Sequence, residues 1–228
     1  MGKVNALIVA GGKGKRMNSD KSKQFLNIHG KPLIHRTLEK FSMCCDIDEI
    51  YLVLPEDEVT YFEENILKKY KFDKPIIIVK GGKERQDSVY NGLISMEDCE
   101  VVLIHDGARP LVSDDIIKDG IRYAYLYGGA APGVKVKDTI KVIDESGFSK
   151  ATLNRKELVA IQTPQCFKYS IILEGHNYIR KNKILVTDDT AALELIGHKV
   201  FIYEGSYENI KITTKEDLRI AELIINRV

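Results

Sequence analysis

The chain has 228 residues, with 34 basic against 33 acidic side chains and a net charge of +1. Near-neutrality excludes a general nucleic-acid or polybasic membrane binder while permitting a local basic site. Hydrophobic residues make up 44%, enough for a sizeable core, yet apolar runs such as residues 6–10 fall far short of the ~18 that a membrane span requires.

That first apolar run leads into Gly-Gly-Lys-Gly rather than a small-residue cleavage site, so a soluble, cytoplasmic protein is expected. The four cysteines form no C-x-x-C pair, and the five histidines are scattered. Neither a disulfide framework nor a histidine-ligated metal centre is expected.

In chain order, β-rich apolar runs at residues 4–10, 49–54, 75–79, 101–105, 129–136 and 199–203 predict strands. Amphipathic stretches at 33–43, 56–70, 85–95, 113–127, 168–181, 187–196 and 214–228 predict helices between and after them. Near-continuous apolar strands alternating with helices indicate a parallel sheet buried on both faces, hence a three-layer α/β fold in one domain. One segment breaks the rhythm. Between 137 and 155, two polar-interleaved runs flank Asp144-Glu145-Ser146-Gly147, a turn composition. This predicts a projecting β-hairpin, either a surface hairpin or a dimerisation arm, because an isolated hairpin is only marginally stable in water.

In open parallel sheets ligands bind beyond the carboxyl ends of the strands. The first strand runs into Ala10-Gly11-Gly12-Lys13-Gly14-Lys15-Arg16-Met17, followed by Lys23-Gln24. Such a loop is either a plain turn or a phosphate cradle, in which glycines bring N–H groups to phosphate oxygens and Arg16 and Lys23 add charge. It is not a dinucleotide fingerprint, since Met17 stands where the third glycine belongs, and no Walker A string occurs. The third strand ends in Gly81-Gly82-Lys83-Glu84-Arg85-Gln86-Asp87-Ser88, which suits recognition of a base or ribose by Gly82 and Ser88, or ordinary helix capping. The fourth ends in His105-Asp106-Gly107-Ala108-Arg109-Pro110. Asp106 there can hold Mg²⁺ or orient a sugar while Arg109 clamps a phosphate, or the two can simply pair. His105 is read as a packing residue.

With Val136-Lys137-Asp138-Thr139, Arg155, Gln162-Thr163-Pro164-Gln165, Thr187-Asp188-Asp189 and the run Glu204 to Thr214 following in order, the chain resembles the 2-C-methyl-D-erythritol 4-phosphate cytidylyltransferase family over essentially its whole length. The resemblance implies a mostly parallel, Rossmann-like nucleotidyltransferase sheet. It implies CTP and the polyol phosphate as substrates, with Mg²⁺ carried mainly on the CTP phosphates and Asp106 as a candidate protein contact; oxygen-ligated sites often accept Mn²⁺ in place of Mg²⁺. It implies Arg16, Lys23, Arg155 and Lys211 in catalysis and Ala10, Gly11, Gly12, Gly14, Gly82, Ser88 and Asp106 at CTP. Asp106, Arg109, Thr139, Thr163 and Thr187 would meet the polyol phosphate. It further implies a homodimer in which the arm, with Thr139 and Arg155, completes the neighbour's site. Two positions depart from the family pattern. Ser22 replaces a common proline, which is expected to loosen the loop, and Lys83 replaces a common aspartate, removing any nucleoside contact made there. The alternatives are a ribitol 5-phosphate cytidylyltransferase, an inactive nucleotide-binding module on the same fold, and a nicotinamide dehydrogenase, the last weakened by the missing glycine.

Overall fold

The computed structural model describes residues 2–11 and 22–226. In chain order the elements begin with β1 (Lys3–Val9), a small β2 (Asn27–Ile28) and β3 (Lys31–Pro32) ribbon, α1 (Leu33–Met43) and β4 (Glu49–Leu54). Next come α2 (Val59–Phe62), β5 (Ile76–Lys80), α3 (Arg85–Ile94), β6 (Cys99–Asp106), α4 (Asp114–Tyr127) and β7 (Gly129–Lys135). The hairpin β8 (Lys141–Ile143) and β9 (Ser149–Thr152) precedes β10 (Val159–Ile161), β11 (Gln165–Lys168), α5 (Tyr169–Lys181), α6 (Asp189–Leu195), β12 (Phe201–Glu204) and α7 (Lys215–Ile225).

The expected strands form, as do the expected helices apart from 56–70, with ends displaced by a residue or two; the last helix, expected to reach 228, closes at Ile225, and residues 227–228 lie outside the described residues. The 56–70 stretch divides into a 3-10 turn, the single α-turn of α2 and a π-helical turn, Glu63–Leu67. Three short pieces escaped the hydrophobic pattern. The β2–β3 ribbon turns through His29 and Gly30, both at positive φ, as a tight hairpin requires. β10 and β11, of three and four residues, run antiparallel to β7, and β11 also to β6. The sheet is therefore mixed rather than purely parallel. Pairs β1–β4, β1–β6, β4–β5 and β7–β12 are parallel, and β10 and β11 are the antiparallel insert in a mostly parallel sheet.

Both faces are covered, which is why the strands read as continuous apolar runs. Successive β1 side chains point to opposite faces. Ala6 and Ile8 join Ile34, Leu38 and Phe41 of α1 and Ile117 and Ile121 of α4. Leu7 packs on the other face with Val89 and Leu93 of α3, Ile172 of α5 and Leu193 of α6. Gly92 permits that approach, because a Cβ there would lie 2.3 Å from a Leu7 methyl. α4 is bounded by Ser113, whose hydroxyl accepts from the Ile116 N–H, and by Gly128 at φ +84°.

Strand order places β1 between β4 and β6. The chain proceeds from β1 to β4 and β5 on one side, then crosses to β6 on the other. That reversal opens a crevice at the carboxyl ends of β1 and β6, the expected place for a ligand.

Candidate active site

A cavity of about 650 Å³ fills the crevice. Its floor is the end of β1, Val9-Ala10-Gly11, with Lys23 and Gln24 on one wall, Gly81 to Arg85 with Ser88 on another, and Asp106 to Ala108 with Lys211 on a third. Gly12, Gly14 and Arg16 lie outside the described residues. The Ala10 N–H donates to the Val53 carbonyl (2.9 Å) and the Gly107 N–H to the Val9 carbonyl (2.9 Å), which fixes the floor against both neighbouring strands. Lys23 enters from a 3-10 turn, Lys23–Phe25, whose flanking side chains, Ser22 Oγ and Gln24 Nε2, donate to the two carboxylate oxygens of Glu58.

The second glycine turn performs the helix capping that was one of the two readings of it. Glu84 N–H is capped by Asp87 (3.1 Å), while the buried Ser88 hydroxyl accepts from the Gly82 N–H (3.0 Å). Ser88 thus shapes the turn from within. Lys83 lines the cavity.

Asp106, at the tip of β6, is the centre of the charge distribution. Lys211 Nζ lies 2.8 Å from Oδ2, Arg85 Nε 3.5 Å from Oδ1 and Arg109 Nε 3.7 Å from Oδ2. Burial disfavours the charged carboxylate, but Arg85, Lys211 and Arg109 outweigh it and hold the group well below the usual carboxylate range. Arg109 also donates to the Asn209 carbonyl (2.7 Å), so its guanidinium ties the Asp106 loop to the Lys211 loop. That loop is pinned again where the Ile212 N–H meets the Ala108 carbonyl (2.9 Å).

Behind Asp106 runs a hydrogen-bond relay. The Asp106 N–H donates to Thr163 Oγ1 (3.1 Å). The Thr163 hydroxyl donates to His105 Nδ1 (3.0 Å), and His105 Nε2 donates to the Arg109 carbonyl (3.0 Å). The carbonyl can only accept, so the proton of a neutral imidazole sits on Nε2. Burial pushes the His105 pKa down to about 4, consistent with that neutral form. His105 packs on Phe41, as expected of a core residue, and it also holds the loop that carries Asp106 and Arg109.

The predicted site residues divide into two sets. Ala10, Gly11, Lys23, Gly82, Ser88, Asp106 and Lys211 line one cavity, with Arg109 and Thr163 bonded to its wall. Thr139, Arg155 and Thr187 are exposed and do not line it. Arg155 donates to the Lys137 carbonyl at the base of the arm. Arg85 and Asp189 escaped the sequence reading as site residues. Arg85 opens α3, where the helix dipole disfavours a cation; a cation at such a place signals a nearby anion. Among the described residues no cluster of three His, Cys, Asp or Glu side chains is placed to hold a metal. Of the carboxylates lining the cavity, Glu56, Glu84 and Asp106, Asp106 has cations on both oxygens, which fits an ion bound chiefly by ligand phosphates rather than by a protein cage.

A glycine turn facing a cationic wall at the switch point of an open α/β sheet is the arrangement of a Rossmann-like nucleotidyltransferase. The family model for 2-C-methyl-D-erythritol 4-phosphate cytidylyltransferase matches residues 4–227, and the chain belongs to that family. The enzyme of that name from Clostridium perfringens strain SM101 is 60% identical over 222 residues, covering 97% of this chain and 98% of the relative. Its namesake from Clostridium novyi is 58% identical over 228 residues, covering 100% and 99%. The solved 4-diphosphocytidyl-2C-methyl-D-erythritol synthase of Anaerococcus prevotii superposes with a TM-score of 0.86 at 32% identity, covering 99% of this chain and 96% of that one. No helix among the described residues is long and apolar enough to cross a membrane.

Proposed function

We propose that this cleft joins CTP to 2-C-methyl-D-erythritol 4-phosphate, releasing pyrophosphate and forming the CDP-linked alcohol of isoprenoid precursor synthesis. The observation that carries the reading is the wall at Asp106, where Lys211, Arg85 and Arg109 converge on one carboxylate in a cavity also lined by Gly11 and the turn at Gly81 and Gly82. A site with that surplus of cations is built for anions. A phosphate monoester is already ionised near neutrality (second pKa about 6), so its oxygen attacks the α-phosphorus without a general base. The new P–O bond forms as the α–β bridging bond breaks, and the electrons leave with pyrophosphate. The relay through His105 therefore serves structure, and no imidazole is needed in the chemistry.

The protein's work is to hold two repelling anions together and to meet charge as it moves to the leaving group. Gly11 and the turn at Gly82 take the nucleotide, Arg16 and Lys23 stabilise the transition state, and Lys211 positions the polyol phosphate. Lys211 is already aimed by Asp106, so little ordering remains when substrate arrives. Mg²⁺, bound on the triphosphate with Asp106 as its protein contact, would neutralise part of the phosphate charge, and Mn²⁺ would substitute. The arm supports a homodimer. Ile143 is 63% and Phe148 73% exposed on a hairpin with little core of its own, and packing against a second copy would bury them and bring Thr139 and Arg155 to the neighbour's cleft. A cytoplasmic location follows from the pathway assigned.

Parallel turnover assays with CTP and each of two polyol phosphates test the reading. Pyrophosphate release should be fast with methylerythritol 4-phosphate and slow with ribitol 5-phosphate; the reverse order would assign the chain to the rival reaction. Release abolished by chelation and restored by Mg²⁺ separates an enzyme from an inactive binder.

A further inference from the structure

Two buried ionisable groups have no place in the mechanism above. Asp189, the first residue of α6, and His176 of α5 are both fully buried, yet they lie one and two residues behind the cleft wall. Asp189 Oδ2 receives Arg85 Nη2 at 2.7 Å, and Oδ1 receives His176 Nε2 at 3.2 Å. On its other side Arg85 meets Asp106, which meets Lys211. A continuous file of side chains thus runs His176–Asp189–Arg85–Asp106–Lys211 from the core to the cavity. The backbone of Asp189 is fixed as well. Gln165 Oε1 accepts from the N–H groups of Asp189 (3.0 Å) and Thr190 (3.2 Å), and Gln165 Nε2 donates to Asp188 (2.9 Å).

We propose that Asp189 is a positioning residue for the reaction, aiming the Arg85 guanidinium along the cleft wall so that Asp106 and, through it, Lys211 are held ready for the substrates. The inference rests on the function proposed above. Its physical basis is the guanidinium fork, which can hold two carboxylates in a fixed relation as an ammonium cannot. Without Asp189, Arg85 would keep only the longer contact to Asp106 and would be free to swing into the cavity. Asp106 would then lose a fixed cation on the side facing the nucleotide turn. Burial penalises the Asp189 carboxylate, and Arg85 and His176 overcome that penalty and hold its pKa down. A buried charge kept at such cost, with each oxygen aimed at a separate partner, is more than a helix cap needs. Asp188 already caps α6 by accepting from the Ala191 N–H (3.1 Å). The assignment also accounts for the second glutamine of the Gln162–Gln165 motif and the second aspartate of Thr187-Asp188-Asp189.

The test is a double-mutant cycle on the full chain, reading kcat, both KM values and thermal unfolding. Asp189→Asn should lower kcat/KM for CTP by about 10- to 100-fold, the scale of a misplaced group in a preorganised site, and raise KM for methylerythritol 4-phosphate by a smaller factor through Lys211. Arg85→Lys should do the same, and the double variant should be no worse than Arg85→Lys alone, because both changes break one linkage. His176→Gln, which keeps an N–H donor, should retain more activity than His176→Leu. That pair and Arg85→Lys decide the matter if Asp189→Asn does not fold. Additive losses, or full turnover in Asp189→Asn with only a lower melting temperature, would reduce Asp189 to a brace and overturn the proposal. Absence of turnover in the unaltered protein would instead overturn the function reading.

Discussion

The cleft wall and the arm carry comparable numbers of charged and polar side chains and use them in opposite ways. At the wall Asp106 and Asp189 each answer two or more partners within 4 Å. Asp106 meets Lys211, Arg85 and Arg109, and Asp189 meets Arg85 and His176. The positions of these groups are set before any ligand arrives. On the arm, Val142, Ile143, Phe148 and Leu153 face solvent, and Arg155 has a backbone carbonyl for its partner. One region is finished within the chain, and the other leaves apolar side chains exposed. The proposed dimer would bring the two together in one site.

The largest effect expected is at the finished wall. Lys23→Ala and Lys211→Ala should each lower turnover by about 10²–10³, the typical loss for one preorganised charge donor. Lys211→Ala should chiefly raise KM for the polyol phosphate and leave CTP affinity within a few-fold by calorimetry. Lys23→Ala should act on kcat. If CTP binding collapses in Lys211→Ala, the two sides of the cleft have been assigned the wrong way round.

The arm gives a sharper form of the comparison. Arg155→Ala and Lys23→Ala homodimers should both be nearly inactive. In a mixed dimer one site receives both defects and the other receives none. Random exchange makes half the dimers mixed, so co-refolding the two variants should restore about a quarter of wild-type pyrophosphate release. No recovery, with exchange confirmed by mass, would place Arg155 in its own chain's site and remove the need for a partner.

The same contrast explains what was legible in the sequence. Strands buried on both faces announce themselves as apolar runs, and glycines at strand ends mark the cleft, so β1, β4, β5 and β6 and the floor at Ala10 and Gly11 could be read directly. β10 and β11 could not, because pieces of three and four residues separated by Gln162-Thr163-Pro164 carry no period. The Arg85–Asp189 linkage spans 104 residues, and nothing in local spacing reports a contact so distant. His105 illustrates the intermediate case. Its burial was foreseen, whereas its role in aligning Asp106 appears only once Thr163 is brought alongside.

That role gives the wall a pH signature, to which His35, its pKa also lowered by burial, adds from elsewhere in the core. His105 titrates near 4 in the folded chain and near 6.5 when unfolded. The unfolded state therefore binds more protons between these values, and stability falls as pH is lowered through them. The loss should reach about 3 kcal/mol by pH 4. Asp106 and Asp189, whose pKa values are held down when folded, add their losses only below about pH 4. Urea unfolding across pH 7 to 4 should show this slope, and His105→Asn should reduce it to the part that His35 carries. An unchanged slope in that variant would mean another group carries the titration.

The smallest effect concerns the turn that presents Lys23. Ser22 stands where the family commonly has proline, and a looser loop was the expectation. The structure supplies a tie in its place, since Ser22 and Gln24 both donate to Glu58 and one carboxylate brackets the lysine between them. The backbone of Ser22 has φ −58° and ψ 138°, close to the conformation a proline ring imposes. Two independent constraints therefore lead to the same turn. Glu58→Ala should release the bracket and lower kcat by a few-fold, leaving the melting temperature nearly unchanged because Glu58 lies outside the buried core. Ser22→Pro should be neutral, or stabilise by about 0.4–1 kcal/mol through the unfolded chain. Combined with Glu58→Ala, it should restore most of the lost turnover, since the ring holds what the hydrogen bonds no longer do. Rescue of that kind distinguishes a constraint on the turn from a direct part for Glu58 in catalysis, which proline at position 22 could not replace. A Glu58→Ala enzyme with full activity would show that Lys23 needs no bracket.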